Sequence, residues 1–147
     1  GWTQEEGVLV GNHSFKVVNT RGTDDTEDDI ENLQNSCLSC HLTIDSVDRP
    51  TRDYDGNGVV EGMQTEVRGL LGQIVELLRG NHPEIQLDED GEFNGISVRV
   101  FKRMTFEEKA AVHNYKLVLR DGSFGIHNPV FTVEVLYRTI DALKAQD

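Results

Sequence analysis

The sequence predicts a mainly α-helical domain with many loops and a few short strands, and three observations predict it. Apolar residues recur at helical spacing in the second half of the chain, with Val67, Leu70, Leu71, Ile74, Leu77 and Leu78 as the clearest stripe. The first half is polar and punctuated by glycine and acidic residues, which reads as loop with little regular structure. Between them lies Cys37-Leu38-Ser39-Cys40-His41, a C-x-x-C-H that reads as a covalent haem attachment site and makes the domain one built around haem c.

In such a site both thiols add to the haem vinyl groups and the adjacent imidazole, here His41, is the proximal iron ligand. Cys37 and Cys40 are the only cysteines in the chain. Three other readings compete: a thioredoxin-like redox pair, half of a zinc site and a structural disulfide. The redox pair wants a βαβ context, whereas the polar run Thr23 to Ser36 precedes Cys37. Zinc needs two further ligands, and none follows at finger-like spacing.

At 147 residues the chain suits one domain, 1–147, with residues 1–20 as an extended N-terminal arm. The hydrophobic fraction of 37% is modest, so a bound haem would complete the core rather than decorate it. A formal net charge of −12 argues against nucleic acid or an anionic membrane as partner and favours a basic redox partner protein or divalent cations. No apolar run reaches the length of a membrane span. The chain begins at Gly1 without a signal peptide, and covalent haem attachment takes place outside the cytoplasmic membrane. The expected localisation is therefore periplasmic or extracellular, after export and removal of a leader.

Taken in order, Val8 to Val18 alternate in part, placing His13, Phe15 and Val17 on one side of an arm or edge strand. The acidic run Gly22 to Asp29 reads as a solvated loop, with calcium binding as its alternative. Ile30 and Leu33 suggest a short helical turn leading into the haem motif. After it, Asp53-Tyr54-Asp55-Gly56-Asn57-Gly58-Val59-Val60-Glu61 has the spacing of most of an EF-hand calcium loop. Asp53, Asp55 and Asn57 fall at its first, third and fifth places, Gly58 at the sixth, the Val59 carbonyl at the seventh and Glu61 at the ninth. The twelfth place holds Gln64 instead of the usual glutamate, with Glu66 two residues on, so Glu61 or Glu66 completes the calcium set. The alternative is a glycine-rich turn before a helix.

The first long helix carries the Val67–Leu78 stripe and ends at Gly80-Asn81 before Pro83, leaving His82 in an exposed loop. Ile85 to Val100 suggests a hairpin around Asp88-Glu89-Asp90-Gly91-Glu92, with Ile96 to Val100 as its second strand. Thr105-Phe106-Glu107-Glu108 is a capping box opening a second helix, with Phe106, Ala110, His113 and Leu117 on one face. His113 is then either an iron ligand or a satisfied core residue. Asp121-Gly122 stops this helix. Asn128 as N-cap and Pro129 at the first position open a third, with Val133, Leu136, Ile140 and Leu143 inward. His127 stands immediately before that start, a rigid place from which to aim an imidazole.

Several of these pieces together resemble the C-terminal haem segment of multihaem c-type cytochromes, related to the pentahaem nitrite reductases and octahaem enzymes. They are Asn12-His13-Ser14-Phe15, Cys37 to His41, the glycine loop Asp53 to Gly62, and Asn114-Tyr115 through Asp121-Gly122-Ser123-Phe124-Gly125-Ile126-His127-Asn128-Pro129. The resemblance covers most of the chain and implies a small c-type cytochrome domain. It implies that a histidine at the place of His127, or of His13, serves as a distal iron ligand, often to a haem other than the nearest in sequence. This chain departs from the pattern in holding one haem motif and no C-x-x-C-K, so nitrite reduction is not implied.

The function expected is electron transfer by a six-coordinate, bis-histidine haem. One haem offers one distal position, and two histidines match it. His127 suits a ligand from the same chain. His13, on an extended arm, suits donation to a neighbouring molecule, a head-to-tail contact that would build a filament of haems; equally, it is a surface histidine. The alternative is a haem enzyme or gas sensor with an open distal site.

Overall fold

The computed structural model describes residues 18–19, 30–31, 48–93, 95–126 and 128–146. They are mainly helical, as expected: α1 (Met63–Asn81), α2 (Val98–Arg103), α3 (Phe106–Asp121) and α4 (Pro129–Lys144), with two-residue strands β1 (Val18–Asn19) and β2 (Ile30–Glu31). The strands pair antiparallel, Val18 opposite Glu31 and Asn19 opposite Ile30. Ile30 thus lies in a strand pair and not in the helical turn its spacing with Leu33 suggested. Among the described residues no helix is long and apolar enough to cross a membrane.

Helix α1 begins where a distant carboxylate caps it. Its N-cap, Gly62, has no side chain to offer. Asp48 Oδ1 accepts instead from Gln64 N (2.7 Å), and Asp48 Oδ2 from the Thr65 hydroxyl (2.8 Å). A negative charge here also complements the helix dipole. Any Cβ at Gly62 would collide with that carboxylate, so glycine is needed for close approach rather than for its dihedral angles. The bridge between Pro50 and Gly62, with Met63 N donating to Arg49 O (3.1 Å), closes the acidic loop 51–61 at its base.

The buried face of α1 contains Val67, Leu70, Leu71, Ile74 and Leu78 from the expected stripe, and adds Met63 and Val75, while Leu77 is only partly covered. Helix α4 packs on both α1 and α3, burying Val133, Leu136, Ile140 and Leu143 as the spacing predicted. Asn128 Oδ1 accepts from Phe131 N (3.3 Å) to start it. Phe93 stacks on Tyr115 at 4.1 Å between ring centroids and extends the core towards α3. Burial pushes the Tyr115 hydroxyl up to about 12, so it stays neutral there.

Three further expectations are corrected. Ile96 to Val100 form no strand: Ser97 Oγ accepts from Val100 N (3.3 Å) as the N-cap of α2, and Val100 and Met104 turn inward four residues apart. The acidic turn exists, with Asp88 N donating to Glu92 O (2.9 Å), but among the described residues no strand pair flanks it. Helix α3 has the predicted capping box, yet its buried face is Glu108, Ala111, Val112, Tyr115 and Val118, one residue round from the predicted stripe. His113 is therefore exposed.

The third correction concerns His82, which is buried and not exposed. Its Nε2 lies 3.0 Å from Glu108 Oε2, an ion-pair separation whose alignment falls short of a regular hydrogen bond, and it has no other partner among the described residues. Glu108 also accepts from Thr105 N (2.8 Å) and Asn81 Nδ2 (3.2 Å), joining the end of α1 to the start of α3. Burial raises the Glu108 carboxyl, but the contacts from His82, Thr105 and Asn81 outweigh it and hold the group below its ordinary value. A depressed carboxylate contributes stability above its unfolded value and loses it as pH falls through the folded one. Glu108→Gln is thus expected to be less stable than the parent at neutral pH, with the difference shrinking only as pH falls below the ordinary carboxylate range and through the depressed folded value, which urea melts across pH would measure.

Candidate functional site

The haem motif at Cys37, Cys40 and His41, and both candidate distal ligands, His13 and His127, lie outside the described residues. What the structure describes is the acidic loop beside the start of α1 and the segment that leads to position 127.

In the loop, each polar side chain accepts from a backbone N–H a few residues on, as Asx turns do. Asp53 accepts from Gly56 N (2.7 Å) and Gly58 N (2.9 Å), Asp55 from Asn57 N (3.0 Å), and Asn57 from Val59 N (2.7 Å). Gly56 and Gly58 both have positive φ, 77° and 89°, which lets the chain wrap so tightly. Glu66, fully buried on α1, is the hub. Its Oε2 accepts from Tyr54 N (2.7 Å) and Asp55 N (3.0 Å), and its Oε1 from Glu61 N (2.8 Å). Further ties hold the loop down: Gln73 Nε2 donates to Asp55 O (2.6 Å) and the Tyr137 hydroxyl of α4 donates to Tyr54 O (2.6 Å). Gly69 leaves the space into which the Asp55 carboxylate fits, since a Cβ there would overlap it.

The result brings Asp53, Asp55 and Glu66 together, each offering a carboxylate oxygen, all within 4.8 Å of one another. Two oxygens on one calcium ion at 2.3–2.6 Å can lie at most about 5 Å apart, so this donor set fits a hard cation. Of the sequence-derived ligands, Asp53 and Asp55 belong to the group. Glu66 takes the closing place, whereas the Glu61 carboxylate is turned to Asn57 Nδ2 (2.9 Å). The Val59 residue is exposed. Calcium bound there would bridge loop and helix, adding to ties that the protein already makes.

The segment before position 127 is held by the same half of α1. Gly122 and Gly125 have φ of 70° and 87°, and between them Phe124, with φ 48°, occupies a left-handed conformation rare for a bulky residue. The Arg68 guanidinium lies over the Phe124 ring, 4.1 Å from its centroid, and Gln64 Nε2 donates to Ser123 O (3.3 Å). Ser123 donates through its N–H and hydroxyl to Asp121. Helix α1 thus grips both the acidic loop and the approach to residue 127 within two turns.

Sequence reasoning missed the Asp48 cap, the Gly69 contact and the His82–Glu108 pair, all of which join residues distant in the chain. Comparison with protein families, with curated proteins and with solved structures finds no match.

Proposed function

We propose that the chain is an exported electron-transfer cytochrome carrying one haem c, and the observation that carries this reading is Cys37-Leu38-Ser39-Cys40-His41, which uses the only two cysteines of the chain. The haem iron, when bound, supplies one-electron exchange. Cys37 and Cys40 hold the group covalently, His41 is its proximal ligand, and His127 or His13 fills the opposite position. The grip of α1 on the segment before residue 127 supports His127 as the ligand from the same chain, because a distal ligand must be held at fixed distance. His13 then serves a neighbouring molecule, joining chains into a haem filament. Calcium at Asp53, Asp55 and Glu66 braces the same half of α1, and a basic redox protein suits the net charge of −12.

The absorbance spectrum with added ligands tests the reading. A six-coordinate carrier gives a low-spin ferric spectrum that cyanide, or carbon monoxide after reduction, changes only slowly. Rapid, complete ligand binding would point instead to the enzyme or gas sensor with an open distal site.

A further inference from the structure

The acidic loop carries an exposed Asn57-Gly58 pair whose hydrogen bonds bring reactive atoms together. An asparagine followed by glycine can lose its side-chain amide, because the backbone nitrogen of the next residue attacks the carboxamide carbon and glycine has no Cβ to block it. At Gly58 the surroundings are open as well, since a Cβ built there would meet no atom within 4 Å.

Three sets of contacts act on the reacting groups. Val59 N donates to Asn57 Oδ1 (2.7 Å), and closing that turn folds the carboxamide back towards Gly58 N. The same N–H is aimed at the oxygen that gains negative charge when the carbon is attacked, as a preorganised oxyanion donor is. Gly58 N itself donates to Asp53 Oδ2 (2.9 Å), so a carboxylate is in place to take its proton as the nitrogen becomes tetrahedral. Asn57 Nδ2, the leaving group, donates to Glu61 Oε2 (2.9 Å) and Asp55 Oδ2 (3.2 Å), which fixes the plane of the amide.

The other described asparagines between residues 63 and 146 lack this arrangement. Asn128 precedes Pro129, whose nitrogen carries no hydrogen. After Asn81, His82 N is committed to Leu78 O (2.9 Å). Asn114 lies within α3, with its amide on Thr139 Oγ1 (2.9 Å).

We infer that Asn57 is a site of spontaneous deamidation in the folded chain, promoted by Asp53 and by the Val59 N–H. The bond from Gly58 N to Asn57 Cγ forms and the bond from Cγ to Nδ2 breaks. The Gly58 proton passes by way of Asp53 and water to the departing nitrogen, which leaves as ammonia. Water then opens the cyclic imide at either carbonyl and gives aspartate or isoaspartate at position 57. Either product sets an acceptor where Nδ2 donated to Asp55 and Glu61, so conversion loosens that part of the loop. None of these steps depends on the haem reading.

The test follows the full chain in mildly alkaline buffer with a chelator, so that no cation engages Asp53. Samples are digested with trypsin, and the amide-to-acid mass increase in peptide 53–68 is located by fragmentation against a zero-time control. The same peptide, released first and incubated free, gives the rate without the fold. The expected result is conversion of Asn57 severalfold faster in the native chain than in the free peptide, with Asp53→Ala lowering the native rate to that of the peptide. Circular dichroism checks that this variant keeps its helices. A native rate equal to or below that of the peptide overturns the inference, because the hydrogen bonds to the carboxamide would then be shielding it. An Asp53→Ala chain that converts as fast as the parent, or faster, overturns the part given to Asp53.

Discussion

Glu66→Ala is expected to lower the melting temperature by about 6–12 °C and to remove any response to calcium. The carboxylate is fully buried and accepts from the N–H groups of Tyr54, Asp55 and Glu61. Each such bond to a charged acceptor contributes about 1.5–3 kcal/mol, and partial exposure of the three loop residues reduces the sum to about 3 kcal/mol. For a chain of this size 1 kcal/mol corresponds to roughly 2–4 °C. Glu66→Gln separates the two roles, because the amide oxygen still accepts from part of the loop while the charge is gone. It should keep most of the stability yet lose the calcium response. If the site takes calcium, the ion at a hundredfold excess over its dissociation constant is expected to add about 2.7 kcal/mol to the parent, a rise of about 5–10 °C over the chelated protein. Thermal melts with calcium and with chelator measure both variants. An undiminished calcium shift in Glu66→Gln would show that this carboxylate does not close the site.

Cys37→Ala/Cys40→Ala is expected to have the largest effect of all, the loss of every covalently bound haem. Either cysteine alone leaves one thioether and a haem still attached, whereas His41→Ala keeps both thioethers and gives a high-spin iron lacking its proximal ligand. The other readings of the motif predict different losses in the double variant: bound zinc in the zinc-site reading, and thiol–disulfide exchange in the redox-pair reading. Haem absorbance after acid–organic extraction, with elemental analysis for zinc, tells them apart.

Much of the helical frame was legible because it is written locally. The stripe of α1, the Thr105–Glu108 capping box and the Asn128-Pro129 start of α4 each depend on residues within a turn or two of one another. Helix α3 shows where periodicity stops being sufficient. It carries two apolar stripes, and spacing alone cannot choose between them; the choice is made by Tyr115 meeting Phe93 and by Glu108 meeting His82, contacts that no local window contains. Ser97 is a local signal for α2, since an N-cap serine before Val98 competes with the alternation of Ile96 to Val100.

The acidic loop was legible in its spacing and less so in its closure. The EF-hand pattern points to Asp53 and Asp55, whereas it offers Glu66 only as a choice beside Glu61. The geometry favours Glu66 because α1 already starts at Met63, where the Asp48 cap and the Pro50–Gly62 bridge hold the chain, and the first helical turn carries residue 66 back towards Tyr54 and Asp55. The burial of His82 is hidden from the local sequence for a related reason. The polar Asn81 and the helix-ending Pro83 beside it suggest an exposed loop, but the fold brings Glu108 to it from the start of α3.

The central claim is that this chain carries haem through Cys37 and Cys40, and mass spectrometry of the denatured chain tests it most directly. Produced with a c-type maturation system, the chain should show the mass of the polypeptide plus one haem, with the modified residues located in the peptide containing Cys37 to His41. A mass equal to the polypeptide alone, under conditions in which a known c-type cytochrome is matured, would contradict the account.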